Sequence, residues 1–83
     1  MKWFTPLARP LKPKDHAELR TLRDARDYAI DLPEEIAVRQ VWQQVANLLL
    51  DAAKDPIPAK VEAATDQVKL ALFTTYRLDM TEP

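Results

Sequence analysis

An all-helical fold, a small three-helix bundle around a long central helix with an extended N-terminal arm, is what this sequence predicts. Three observations predict it. Apolar residues recur at the 3.6-residue period in three separate segments. Acid–x–x–Glu start signals or prolines punctuate those segments where helices should begin and end. No stretch between turn residues alternates polar and apolar for long enough to suggest a strand.

Residues 1–14 stand apart as the arm. Pro6, Pro10 and Pro13 oppose regular helix and favour an extended, polyproline-like path. Lys2, Arg9, Lys12 and Lys14 give the arm four positive charges and no acid. Trp3, Phe4, Leu7 and Leu11 are large apolar residues that a free linker would not need.

The helical domain, residues 15–83, should open with a helix over about 16–30. Asp15 is placed to cap it and Glu18 to complete a capping box. Leu19, Leu22, Ala25, Ala29 and Ile30 then share one face. Asp31-Leu32-Pro33-Glu34 repeats the start signal, with Pro in the first turn where its missing N–H costs nothing. A central helix over 32–54 should follow. Its seams, Val38-Val41-Val45-Leu48-Ala52 and Trp42-Ala46-Leu49-Ala53, cover an arc wide enough to serve two neighbours. Asp55-Pro56-Ile57-Pro58 ends it. A third helix is expected over 58–78, with Val61, Ala64, Val68, Ala71, Leu72 and Thr75 facing the core and Tyr76 at the border.

Composition bounds the function more than any motif does. The 83 residues are 47% apolar with a net charge of −1, a length and balance suited to one folded domain. There is no Gly, no Cys and no Ser, and His16 is the only histidine. Glycine-rich phosphate loops and dinucleotide fingerprints need backbone without a Cβ, so both are excluded. The common activated nucleophiles are missing, and a single His cannot build a two-His zinc site. His16-Ala17-Glu18 also runs in the wrong order and spacing for a Glu-x-x-His di-iron motif. We therefore expect no enzyme, no cofactor and no metal, with catalysis by carboxylates or threonines alone the residual possibility. No apolar run is long enough to span a membrane or to serve as a secretory signal, and without cysteine the default location is cytoplasmic.

Asp24, Asp27 and Asp31 could suggest a cation site, but Arg20 and Arg23 precede the first two by four residues, which fits a solvated, ion-paired face. Glu34 and Glu35 fit the positive end of a helix dipole. Arg26 falls within the apolar arc of its helix. Either its stem covers core atoms while the guanidinium escapes, or it serves as an anion-binding or interface arginine. Trp42 reads as core packing, with interface anchoring as the alternative. Leu70 and Phe73, with Ala63, lie opposite the core stripe of the third helix and are the strongest pointer to a covered patch.

These residues predict a non-catalytic interaction protein that self-associates, most simply as a homodimer, burying Leu70, Phe73 and Ala63 or the arm residues Trp3, Phe4, Leu7 and Leu11. The arm could dock on its own chain or on a second one. A further protein partner is the wider form of this reading. The alternative is a small regulatory module whose basic arm contacts nucleic acid. Against it, residues 15–83 carry eight basic and thirteen acidic residues, and no helix has a one-sided basic face.

Overall fold

The computed structural model describes residues 1–14 and 16–75. The arm is the largest departure from the sequence expectation, because it is a β-strand. β1 (Pro6–Leu11) pairs antiparallel with β2 (Leu19–Thr21), so the fold is not all-α but mostly helical with a two-stranded sheet. Leu7 and Leu11 point inward and are buried, Arg9 between them is half-buried, and Pro6, Ala8 and Pro10 face out. That is the period-2 alternation of a strand. Pro6 and Pro10 keep an extended φ but donate no hydrogen bond, which suits a short edge strand with irregular register. The register shifts accordingly, with Pro6 opposite Thr21 and Leu11 opposite Leu19.

β2 takes residues that the helical periodicity had placed in the first helix. α1 runs only over Leu22–Ile30. The predicted cap at Asp15 lies outside the described residues, and Glu18 instead pairs with Arg20 at 2.9 Å. The capping box is formed six residues later, by Thr21 and Asp24. The Asp24 N–H donates to Thr21 Oγ1, and the Asp24 carboxylate accepts from the backbone N–H of both Thr21 and Arg20. The arm supplies the rest of the cap. Leu22 N–H donates to Thr5 O at 2.9 Å and Arg23 N–H to Trp3 O at 2.8 Å. The first three N–H groups of α1, which no helix can satisfy internally, all find partners this way. The helix therefore begins where the arm crosses it.

The expected central helix is split. α2 is a single turn, Glu34–Ala37, and α3 spans Gln40–Lys54. Asp31 does not cap a helix start. Its N–H closes the end of α1 on Asp27 O, and Pro33 is the N-cap of α2 with no side-chain bond. Arg39 is extended between the two helices, and Gln43 Nε2 donates to Ala37 O at 2.8 Å, binding a terminal carbonyl of α2. α4 (Pro58–Thr74) follows, with Pro58 in its first turn. The predicted continuation to residue 78, Tyr76 included, lies outside the described residues.

One core takes buried residues from every element except α2, whose Ile36 and Ala37 pack against it while only partly buried. It gathers Leu7 and Leu11 from β1, Leu19 from β2, Leu22, Ala25 and Tyr28 from α1, and Leu32 from the following turn. α3 adds Trp42, Val45, Leu49, Ala52 and Ala53, and α4 adds Val61, Ala64, Val68, Ala71 and Leu72. The α4 stripe matches expectation except that Thr65 joins it and Thr75 is only half-buried. The α3 facing is rotated: Val41 and Leu48 are partly buried, and Ala46 and Val38 are exposed. Breaking the helix at Arg39 removed the constraint that Val38 continue the seam. Ile30, expected in the core, is 70% exposed at the end of α1, and Tyr28 occupies the core instead.

Candidate interaction surfaces

The predicted interface residues fall into three groups. Leu7 and Leu11 are core residues of their own chain. β1 is clamped to α4 on its outer side: Ala8 N–H donates to Thr65 Oγ1 at 2.9 Å, and Arg9 reaches Asp66 at 2.7 Å and Glu62 at 3.7 Å. The arm thus docks on its own chain, along the flank of α4 that carries Glu62, Thr65 and Asp66.

Leu70, Phe73 and Ala63 form the second group. All three are exposed on the outer face of α4, Leu70 by 49% and Phe73 by 54%. The arm does not cover them, since its strand lies along the flank of Thr65 instead.

Trp3, Phe4 and Arg26 form the third group. The backbone that caps α1 lays two aromatic rings beside two arginines spaced one turn apart. The Arg26 guanidinium lies over the Trp3 ring and the Arg23 guanidinium over the Phe4 ring, at 4.7 and 5.2 Å. Both arginines lean on Asp27, Arg26 at 3.2 Å and Arg23 at 3.6 Å, so two cations share one carboxylate. Sequence spacing pointed to Arg26 as an oddity in an apolar arc, and the structure lays its guanidinium, not only its stem, against an aromatic face while the side chain stays partly exposed. What spacing could not reveal was that Trp3 arrives from the arm.

Next to this pair lies a groove of about 190 Å³ between α1 and α3. Trp3, Ile30, Trp42 and Leu49 provide its larger apolar walls, and Ala29, Ala37 and Ala46 keep it open. Arg26 is the only charged residue in the lining, and Gln43 the only other polar one. Trp42 is buried against Tyr28, ring centroids 6.0 Å apart. Its Nε1–H has no acceptor, the only buried side-chain polar atom so placed among the described residues. An unpaired buried donor of this kind costs about 1–3 kcal/mol.

The remaining polar features are structural. Arg9 is spent on α4, and the Lys12 ammonium donates to Pro13 O and His16 O, so half of the arm's basic side chains bind the chain itself. The His16 ring meets Tyr28 edge-on at 5.4 Å. Among the described residues no three His, Asp or Glu side chains converge as a metal site would require, and no helix is long and apolar enough to cross a membrane. Comparison with family models, with curated proteins and with solved structures finds no match to this chain.

Proposed function

We propose that this chain is a non-catalytic interaction module that pairs with a second copy of itself through the outer face of α4. The observation that carries the reading is the half exposure of Leu70 and Phe73 on a helix whose other face is fully used in the core. The strip is also self-complementary in size. Ala59 and Ala63 occupy its first half and Leu70 and Phe73 its second, with Asp66, ion-paired to Arg9, between the halves. An antiparallel two-fold pairing sets each large side chain against the small residues of the other copy, the arrangement a closed dimer needs. Each of the two large residues is about half covered already, so completing its burial contributes roughly 1 kcal/mol per side chain.

Residue chemistry supports the non-catalytic part. With no Ser or Cys and one surface His, the chain has few of the groups that activate a nucleophile or move a proton near neutral pH. The engagement of Arg9 and Lys12 within the fold halves the number of basic side chains the arm could offer to nucleic acid.

Molar mass by light scattering tests the reading. The parent should be dimeric at high micromolar concentration, and Phe73→Glu should be monomeric with its helicity retained, because an unpaired charge is intolerable in the contact but not on a free surface. A monomeric parent overturns the proposal. So does a Phe73→Glu variant that remains dimeric.

A further inference from the structure

We propose that the groove between α1 and α3 is a binding site for a small apolar carboxylate, with the carboxylate on Arg26 and the apolar body between Trp3 and Trp42. No lining residue comes from α4, so the site is independent of the pairing surface.

Size sets the first limit. A dry cavity of about 150 Å³ lined by apolar side chains holds a benzene ring, and sites for drug-sized ligands start near roughly 300 Å³. At about 190 Å³ the groove takes one ring or one branched aliphatic group and little more. Charge sets the second. The only ionised group in the lining is a cation, and the carboxylate beside it is shared with Arg23. An anionic head is favoured there and an ammonium is opposed.

Hydrogen-bond geometry sets the third. Arg26 Nε and Nη2 both donate to the same oxygen, Asp27 Oδ1, at 3.4 and 3.2 Å. A guanidinium has five N–H groups, so three remain, one on Nη2 and both on Nη1. The Nη1 and Nη2 hydrogens at the end of the fork are the pair that grips a carboxylate in a bidentate fashion. The Trp3 face backs the guanidinium, its centroid 4.7 Å away, and steadies it for that contact.

Both tryptophans of the chain line this groove, so tryptophan fluorescence reports directly on its occupancy. Phenylacetate is the probe, with phenylacetamide and phenethylammonium as controls of the same shape. Titration of the full chain with phenylacetate should give a saturable change in the roughly millimolar range expected of a ligand with so few atoms. Removing the charge-assisted contact by Arg26→Gln, or by offering the amide, should weaken binding roughly tenfold or more, and the ammonium should not bind. Ala46→Phe provides a second variant. Position 46 is exposed at the groove wall, so the larger side chain fills the groove without entering the core and should abolish the response.

A non-saturable response overturns the proposal, as does equal binding of acid, amide and ammonium, or an unchanged titration of Ala46→Phe. A short peptide ending in phenylalanine offers the same ring and carboxylate from a polypeptide. If it binds tighter than phenylacetate by about tenfold or more, which requires contacts beyond the groove, the free acid is overturned as the occupant.

Discussion

The Arg26 guanidinium lies over the ring of Trp3, 4.7 Å from its centroid, a contact between the third residue of the chain and the middle of its first helix. It joins the N-terminal segment to α1 through a side chain just where Arg23 N–H joins them through the backbone, donating to Trp3 O. Sequence placed Arg26 in an apolar arc without saying what it covers, and placed Trp3 in an arm without saying where it lands.

This contact should be measurable as a coupling. A partly exposed cation–π pair contributes about 0.5–1 kcal/mol, so a double-mutant cycle of Arg26→Met and Trp3→Leu in urea should return a coupling of that size. Additive effects would mean that the stacking contributes nothing to stability.

Trp42 separates shape from hydrogen bonding. Its ring is 3% exposed, but its N–H is unpaired. Trp42→Phe removes the unpaired donor together with part of the ring, so the two effects offset and the net loss should stay within about 1 kcal/mol. Trp42→Ala empties the site and should cost about 3–5 kcal/mol. Equal losses in the two variants would show that the N–H has a partner.

Helix starts provide a sharp comparison. Thr21→Ala removes the side chain that accepts from Asp24 N–H and should cost about 0.5–2 kcal/mol by thermal or urea unfolding. Asp31→Ala should change stability by less than about 0.5 kcal/mol, because Asp31 contributes only its backbone to the end of α1. The reverse order would restore Asp31 as a cap.

The core of α3 makes a similar contrast. Leu49 is 1% exposed, Leu48 is partly buried, and Leu50 is 39% exposed. Leu49→Ala should therefore cost about 2–5 kcal/mol and Leu50→Ala much less, with Leu48→Ala between them. Equal unfolding midpoints for the Leu48 and Leu49 variants would mean that α3 is rotated towards the seam expected from sequence.

What could be read from sequence was the physics that acts locally. The inner stripe of α4, Val61 through Leu72, follows from a 3.6-residue period over an uninterrupted helix, and the stop at Asp55-Pro56 follows from proline sterics. The misses around the arm share one cause, contacts between distant parts of the chain. Leu19 and Leu22 fit a helical period, but pairing with β1 draws Leu19 into a strand, a tertiary override of local preference. The Leu7–Arg9–Leu11 alternation was present yet masked by the prolines beside it. Three acid- or Thr-led box patterns, at Asp15, Thr21 and Asp31, look alike locally. Only the arm carbonyls of Trp3 and Thr5 single out Thr21. The groove was the least readable feature, since its walls come from residues 3 to 49.

Thr65 shows how the arm is held, and it offers the most selective test of the fold. It is completely buried in α4, its hydroxyl donating to Val61 O at 2.8 Å and accepting from Ala8 N–H at 2.9 Å. Through it the backbone of β1 is hydrogen-bonded to α4, while Arg9 adds an exposed ion pair worth little on its own. Thr65→Val keeps the side-chain shape and leaves the Ala8 N–H without its partner, which should cost about 1–2 kcal/mol despite the added apolar group. Thr65→Ser keeps the hydroxyl and loses one methyl, at about 0.8 kcal/mol. Stability alone would not separate these losses well, so amide hydrogen exchange decides. In Thr65→Val the Ala8 amide should lose protection ahead of global unfolding while the amides of α3 and α4 keep theirs. In Thr65→Ser it should stay protected. If Ala8 is equally protected in both variants, the arm is held by the burial of Leu7 and Leu11 alone and the Thr65 hydroxyl serves only its own helix.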